Sequence, residues 1–173
     1  NGRIYGFDIS AIFNWSYGND VYNTGKIDYT TNSSSSRNNM IAVMKDGARW
    51  TNLLSDGTIC NDNTALAAMN ANTTMWSPYM TRRVFSDWAV EDGSFLRLNT
   101  LILGYTLPHS LTNKARIQNL RIYVSSYNVF CLTNYSGLDP EVDTRRSSPL
   151  TPGVDNSPYP RTHSFVVGLN LNF

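Results

Sequence analysis

Apolar and polar residues alternate along four long segments of this chain. From Tyr5 to Tyr17 the odd positions read Tyr, Phe, Ile, Ala, Phe, Trp, Tyr. The even positions between them read Gly, Asp, Ser, Ile, Asn, Ser, and only Ile12 breaks the polar side. A period of two puts the two sets on opposite faces of one β-strand. The thirteen residues 5–17 would span roughly 43 Å, or about 30 Å of depth at 45° tilt, the thickness of a bilayer core. Strands of soluble domains run nearer 5–6 residues. Aromatics gather at both ends of the segment, with Ile9 and Ala11 between them, as in strands anchored at two membrane interfaces.

Three further segments follow. In 95–107 the residues Leu101, Leu103, Tyr105 and Leu107 share one parity, whereas Leu96 and Leu98 have the other. The flip near Asn99–Thr100 predicts a β-bulge, or a strand end that turns its apolar side elsewhere. In 119–130 Leu120, Ile122 and Val124 oppose Arg121, Tyr123, Ser125 and Tyr127. In 163–173 Phe165, Val167, Leu169, Leu171 and Phe173 oppose Ser164, Val166, Gly168, Asn170 and Asn172. The expected fold class is all-β: four long final strands, near 4–17, 95–107, 119–130 and 163–173, of an antiparallel transmembrane barrel. Their connections alternate long (18–94), short (108–118) and long (131–162), as between external loops and periplasmic turns. Met40, Val43, Met44, Gly47 and Trp50 follow a helical spacing, so a short amphipathic helix is expected there, with another turn of helix at Thr64–Met69. Five of the seven prolines fall in 131–162, which predicts a rigid irregular excursion without strands.

Composition narrows the picture. Charged residues are 16% of the 173, and Asn, Ser and Thr together supply 54. A helical bundle needs Ala, Leu, Glu and Lys instead. A net charge of +1 supplies no basic stripe for nucleic acid. No run reaches the length of a membrane-spanning helix, which leaves the far weaker barrel signal untouched. The chain opens on Asn1-Gly2, which suggests a piece of a longer polypeptide or a mature form. Cys60 and Cys131 could pair or both be free.

Several blocks together resemble the barrel end of SusC/RagA-type TonB-dependent transporters. They are Gly18–Asn23, Trp88–Pro108 with its Glu91-Asp-Gly-Ser-Phe-Leu-Arg-Leu-Asn-Thr100, Leu120–Phe130, Tyr135-Ser-Gly-Leu-Asp-Pro-Glu-Val142, and Pro160–Phe173. The resemblance implies a large barrel of about 22 strands closed by an N-terminal plug. It also implies import of glycans, oligosaccharides or peptides across the bacterial outer membrane, energised by TonB under a SusD-like surface lipoprotein. These 173 residues would be the C-terminal part of that barrel, without plug or TonB-contacting segment, and with a periplasmic C-terminus. Four strands do not close a barrel, so the functional object must include the rest of the barrel and plug. Two rivals are a soluble glycan-binding β-sandwich and a trimeric channel with four strands per chain.

Candidate chemistry is sparse. Arg97, Arg121, Tyr123 and Tyr127 should face the lumen, where aromatic platforms and guanidinium forks suit sugars and carboxylates, unless they only hold the plug or neighbouring side chains. Trp50, Trp76 and Trp88 in the long loop could meet the lipoprotein or a glycan, or pack the loop on itself. Phe173 resembles the terminal signal for barrel insertion. Asp139, Glu141 and Asp143 could hold Ca²⁺, or pair with arginines such as Arg145 and Arg146. His109 and His163 fall on opposite sides of the expected membrane, which argues against a shared metal. No strained Gly-x-Ser-x-Gly elbow or phosphate-cradling loop is present. The sequence therefore predicts no enzyme, cofactor or metal.

Overall fold

The computed structural model describes residues 1–32, 39–80, 85–142 and 152–173. Five strands form one antiparallel sheet in the order β1 (Gly2–Ile4), β2 (Phe7–Ser16), β5 (Phe95–Thr106), β6 (Asn119–Thr133) and β8 (Ser164–Asn172). The four expected long strands are present and adjacent in chain order. The first differs at its start. Tyr5 and Gly6 both have positive φ, at 47° and 88°, and fold a two-residue hairpin that pairs Ile4 with Phe7. Alternation ran through Tyr5 without interruption, so periodicity alone hid the turn. Gly6, which visits the left-handed region without a Cβ penalty, was its signal.

The parity flip in 95–107 is a bulge. β2 pairs Ile12 with Thr100 and Phe13 with Leu98, and β5 shifts register against β6 at the same place, between Leu98 and Thr100. The shift returns Leu96 and Leu98 to the face of Leu101 and Leu103. Cross-strand rows such as Ile9–Leu103–Val124–Val167 and Phe7–Tyr105–Ile122–Leu169 then make one apolar face across four strands. No second layer covers that face among the described residues. Trp15 is 74% exposed, and Phe165 and Val167 are each 73% exposed. The other face carries Asp8, Ser10, Asn14, Thr100, Tyr123, Ser125, Tyr127 and Asn170, set by the same registers.

The core lies outside this sheet. Beyond Ser16 the chain passes Gly18 and continues as β3 (Asp20–Asn23), which pairs with β4 (Val90–Asp92) directly before β5. The β2–β5 ladder thus extends outward as a smaller sheet, and β7 (Val154–Asp155) joins it parallel to β3. Val21, Ile27, Met44, Ala89 and Tyr135 are buried here. β7 and the extension of β6 to Thr133 correct the expectation of a strandless 131–162 loop; the strand there is only two residues long.

The helix expected from Met40 to Trp50 is a single 3₁₀ turn, Ala42–Met44, that buries Met44. Gly47 at φ 83° and a bridge from Arg49 to Met75 take the chain out of helix before the pattern can repeat. Thr64–Met69 is helical, within α2 (Asn63–Met69), and Asp62 caps it by accepting from the Thr64 N–H. A further short helix, α1 (Thr24–Asp28), begins on the cap Asn23. At the opposite end of the large sheet, α3 (His109–Thr112) and a 3₁₀ turn at Asn113–Ala115 fill the short connection. Both cysteines are free thiols, with Cys60 buried in the loop core and Cys131 on β6.

Candidate functional site

On the polar face of the sheet Asp8 and Arg121 meet across the intervening strand β5. Arg121 Nε donates to Asp8 Oδ1 at 2.9 Å and Nη2 to Oδ2 at 2.6 Å. The bridge passes over Gly104, where a Cβ would sit 2.5 Å from both Arg121 Nη2 and Asp8 Oδ1. Tyr123 lies with its ring over Gly168, where a Cβ would come within 2.2 Å of Cζ, and the Arg121 guanidinium sits 5.0 Å from the ring centre. Two glycines on flanking strands therefore make room for a flat layer of side chains against the wall.

Of the four expected lumen residues, two are thus engaged by neighbours. Arg121 spends its fork on Asp8, and Tyr123 packs against the wall. Arg97 is 4% exposed and contacts the Asp139 carboxylate, with Glu141 Oε2 3.4 Å from its Nε. Tyr127 is the exposed one of the four.

Arg97 belongs to a cluster of four charges. Arg161 Nε lies 3.1 Å from Asp139 Oδ2, and its Nη1 lies 3.1 Å from Glu141 Oε2. The Glu141 N–H also donates to Asp139 Oδ1 at 2.9 Å. Asp139 and Glu141 are therefore arginine-paired carboxylates. Their partners come from β5 and from the approach to β8, while Asp143, Arg145 and Arg146 lie outside the described residues. No group of three or more metal-ligating side chains occurs among the described residues.

A second cluster centres on Glu91. Its carboxylate accepts from the Ser136 N–H (2.8 Å), the Ser136 hydroxyl (2.7 Å) and Asn23 Nδ2 (3.3 Å), and Lys26 Nζ stands 3.1 Å away. Burial alone would push the Glu91 pKa up, but the donors from Ser136 and the Lys26 charge outweigh it and hold the carboxyl below its usual range. Next to it Tyr135 is buried and donates to Asp155. Burial, then that bond and the nearby Asp155 and Glu91 charges, push its phenol well up.

Trp76 and Trp88 meet edge to face, with ring centres 5.5 Å apart. Lys26 Nζ lies 4.3 Å over the Trp88 ring, and Trp76 Nε1 donates to the Thr30 hydroxyl at 3.1 Å. These two tryptophans pack the loop on itself. Trp50 stands apart, at the base of the 51–75 excursion, where its backbone N–H donates to the Met75 carbonyl. Phe173 is exposed at the end of β8, on the side of the short connection. His109 lies at that end too, whereas His163 precedes β8 at the far end, so the structure does not bring them together.

Asp8, Glu91, Gly104 and Arg161 were missed as site residues. The lone acid on the otherwise neutral polar side of 5–17 and the lone base of 119–130 were a readable pair. Their partnership needed the register across β5.

The apolar face, the polar face and the outward extension of the ladder can be set beside known proteins. Over 99% of its length the chain is 29% identical to TonB-dependent receptor P3 of Formosa agariphila. It is 32% identical over 97% of its length to receptor P39 of the same organism. With TonB-dependent receptor SusC of Bacteroides thetaiotaomicron it shares 36% identity over 51% of its length. Its homologues are TonB-dependent receptors of the SusC/RagA type. The RagAB peptide importer in its "closed-closed" state shares the fold, with a TM-score of 0.67 over 97% of this chain at 24% identity. The "open-open" state matches with a TM-score of 0.62 at 25% identity. This chain spans about 15% of the length of P3 and P39 and 16% of the RagAB chain. No family model matches it.

Proposed function

We propose that this chain is a sector of the wall, with its external ends, of an outer-membrane importer of oligosaccharides or peptides. The observation that carries the reading is the four-strand apolar face that nothing among the described residues covers. In water such a face would be a large exposed patch of the kind monomeric proteins avoid. In a bilayer it is the surface that lipid requires; the ladder satisfies the backbone of the inner strands, and the open edges of β2 and β8 are left to neighbouring strands of the barrel. In this reading residues 1–173 are the C-terminal part of the barrel. Strands 7–16, 95–106, 119–133 and 164–172 cross the membrane, and 18–94 and 134–162 stand outside. The short turns and Phe173 lie in the periplasm, with Phe173 available to the insertion machinery.

The polar face, with Tyr127 open and Arg121 and Tyr123 braced, lines the lumen around a plug carried elsewhere in the polypeptide. Plug displacement by TonB opens the path, and a SusD-like lipoprotein caps the external side, where Trp50 is the tryptophan best placed to meet it. The relatives are named as receptors and an importer, which fits transport without catalysis. A β-sandwich fits less well: β6 has 15 residues and no second sheet packs on the apolar face among the described residues. A trimeric channel would require a long helical region, and the longest helix described has seven residues.

The test is uptake in the native host. Cells lacking the gene should lose energy-dependent uptake of labelled oligosaccharides or of labelled peptides, and a protonophore should abolish uptake in the parent. Unchanged uptake of both cargo types in the deletion strain would refute the reading.

A further inference from the structure

Three blocks far apart in the sequence converge on the short strap 135–142. Glu91 grips its start through the Ser136 N–H and hydroxyl, at 2.8 and 2.7 Å. Tyr135, buried, donates to Asp155 on β7. Arg97, the third residue of β5, holds its far end through Asp139, and Arg161 closes the cluster on Asp139 and Glu141 at 3.1 Å each. Arg97 and Asp139 are almost fully withdrawn from solvent. A buried charge that loses its partner is left uncompensated, so separating Arg97 from Asp139 is strongly unfavourable. The strap belongs to the second external connection; it is tied to the first through Glu91, to later parts of its own connection through Asp155 and Arg161, and to the wall strand β5 through Arg97.

We infer that the Arg97–Asp139–Arg161–Glu141 cluster is a latch that makes the strap 135–142 and the approach to β8 one rigid body with the wall. They do not open as a flap. Arg97 acts as a positioning residue. It is withdrawn from solvent, and it fixes the strap whose Ser136, Gly137 and Leu138 form one side of a groove facing Tyr29, Val43 and Trp88. The latch is read from side-chain geometry alone. Its consequence for import, that opening must come from the lid or the plug, rests on the wall reading above.

The test uses the full-length protein in detergent, with Cys60, Cys131 and every other native cysteine replaced and spin labels at Leu138 and Tyr5, which are exposed at opposite ends. Pulsed dipolar spectroscopy should give one narrow distance distribution in the parent. Arg97→Met should broaden it or add a second population, and Arg97→Lys should restore part of the narrow component. Arg161→Met, at the more exposed member of the cluster, serves if Arg97→Met does not assemble. A broad or two-population distribution in the parent, or arginine variants with the parent's narrow distribution, would overturn the latch. Neither outcome depends on whether Val167 faces lipid, so the latch and the wall reading fail separately.

Discussion

Replacing Gly104 with alanine should break the Asp8–Arg121 bridge without touching either residue. The added Cβ would stand 2.5 Å from Arg121 Nη2 and 2.5 and 2.6 Å from the two Asp8 oxygens. Those atoms are the free ends of side chains, so they can swing away, and the strand need not move. What is lost is a two-point charge-assisted bond. Hydrogen bonds to charged groups contribute about 1.5–3 kcal/mol where water is excluded. Both side chains keep about a quarter of their exposure on the solvated face of the sheet, so screening brings the loss well below that range. Alanine also stiffens the strand relative to glycine, which offsets about 0.5–1 kcal/mol in both backgrounds alike. The assay is reversible urea unfolding of the full-length barrel, followed by loss of heat-modifiable migration. A double-mutant cycle isolates the cause. In an Asp8→Asn background, where the ionic bridge is already gone, Gly104→Ala should cost less than half as much. An equal cost in both backgrounds, or none in either, would refute the displacement argument.

Val167→Arg should destabilise the barrel by about 2–4 kcal/mol if the residue sits near the bilayer midplane, whereas Val166→Arg, on the polar face, should cost far less in the same unfolding assay. Glu91 gives a pH dependence with a definite sign. Its folded-state carboxyl titrates below the unfolded value of about 4.3, so its stabilisation is present above that pH and is lost as pH falls through the lower folded value. Limited proteolysis within 134–142 should therefore stay slow from pH 7 to about 4.5 and accelerate only below, and Glu91→Gln should remove that acid step. Alkylation of the denatured protein without reductant should modify the peptides carrying Cys60 and Cys131 fully; a disulfide-linked peptide pair would contradict the free thiols.

The wall was legible in the sequence because its two faces meet different surroundings at every second residue. Even the bulge at Asn99–Thr100 showed, since the apolar parity had to change for Leu98 and Leu101 to share a face. The Tyr5–Gly6 turn did not show, because Tyr5 continued the alternation and only Gly6 spoke against it. The external sheet was missed for another reason. β3, β4 and β7 have four, three and two residues, too few for a period to declare itself, and they are held by pairing across long sequence separations. The Arg-pairing of Asp139 and Glu141 was foreseeable from composition. The identity of the arginines was not, because Arg97 and Arg161 reach Asp139 only once β5, β6 and β8 are side by side. For the same reason Arg121 and Tyr123 looked like open binding groups, when Gly104 and Gly168 on the neighbouring strands give them internal partners.

The most direct test of the wall is a nitroxide scan along β8, one label at a time from Phe165 to Leu171, in the full-length protein reconstituted in lipid. Collisional accessibility to oxygen and to a water-soluble nickel complex is read at each site. Labels at 165, 167, 169 and 171 should favour oxygen, with the lowest nickel accessibility near the middle of the strand. Labels at 166, 168 and 170 should show low oxygen accessibility. Nickel accessibility that is high and without a period of two at all seven sites would mean that this apolar face meets water, and the account of the chain as a membrane wall would fail.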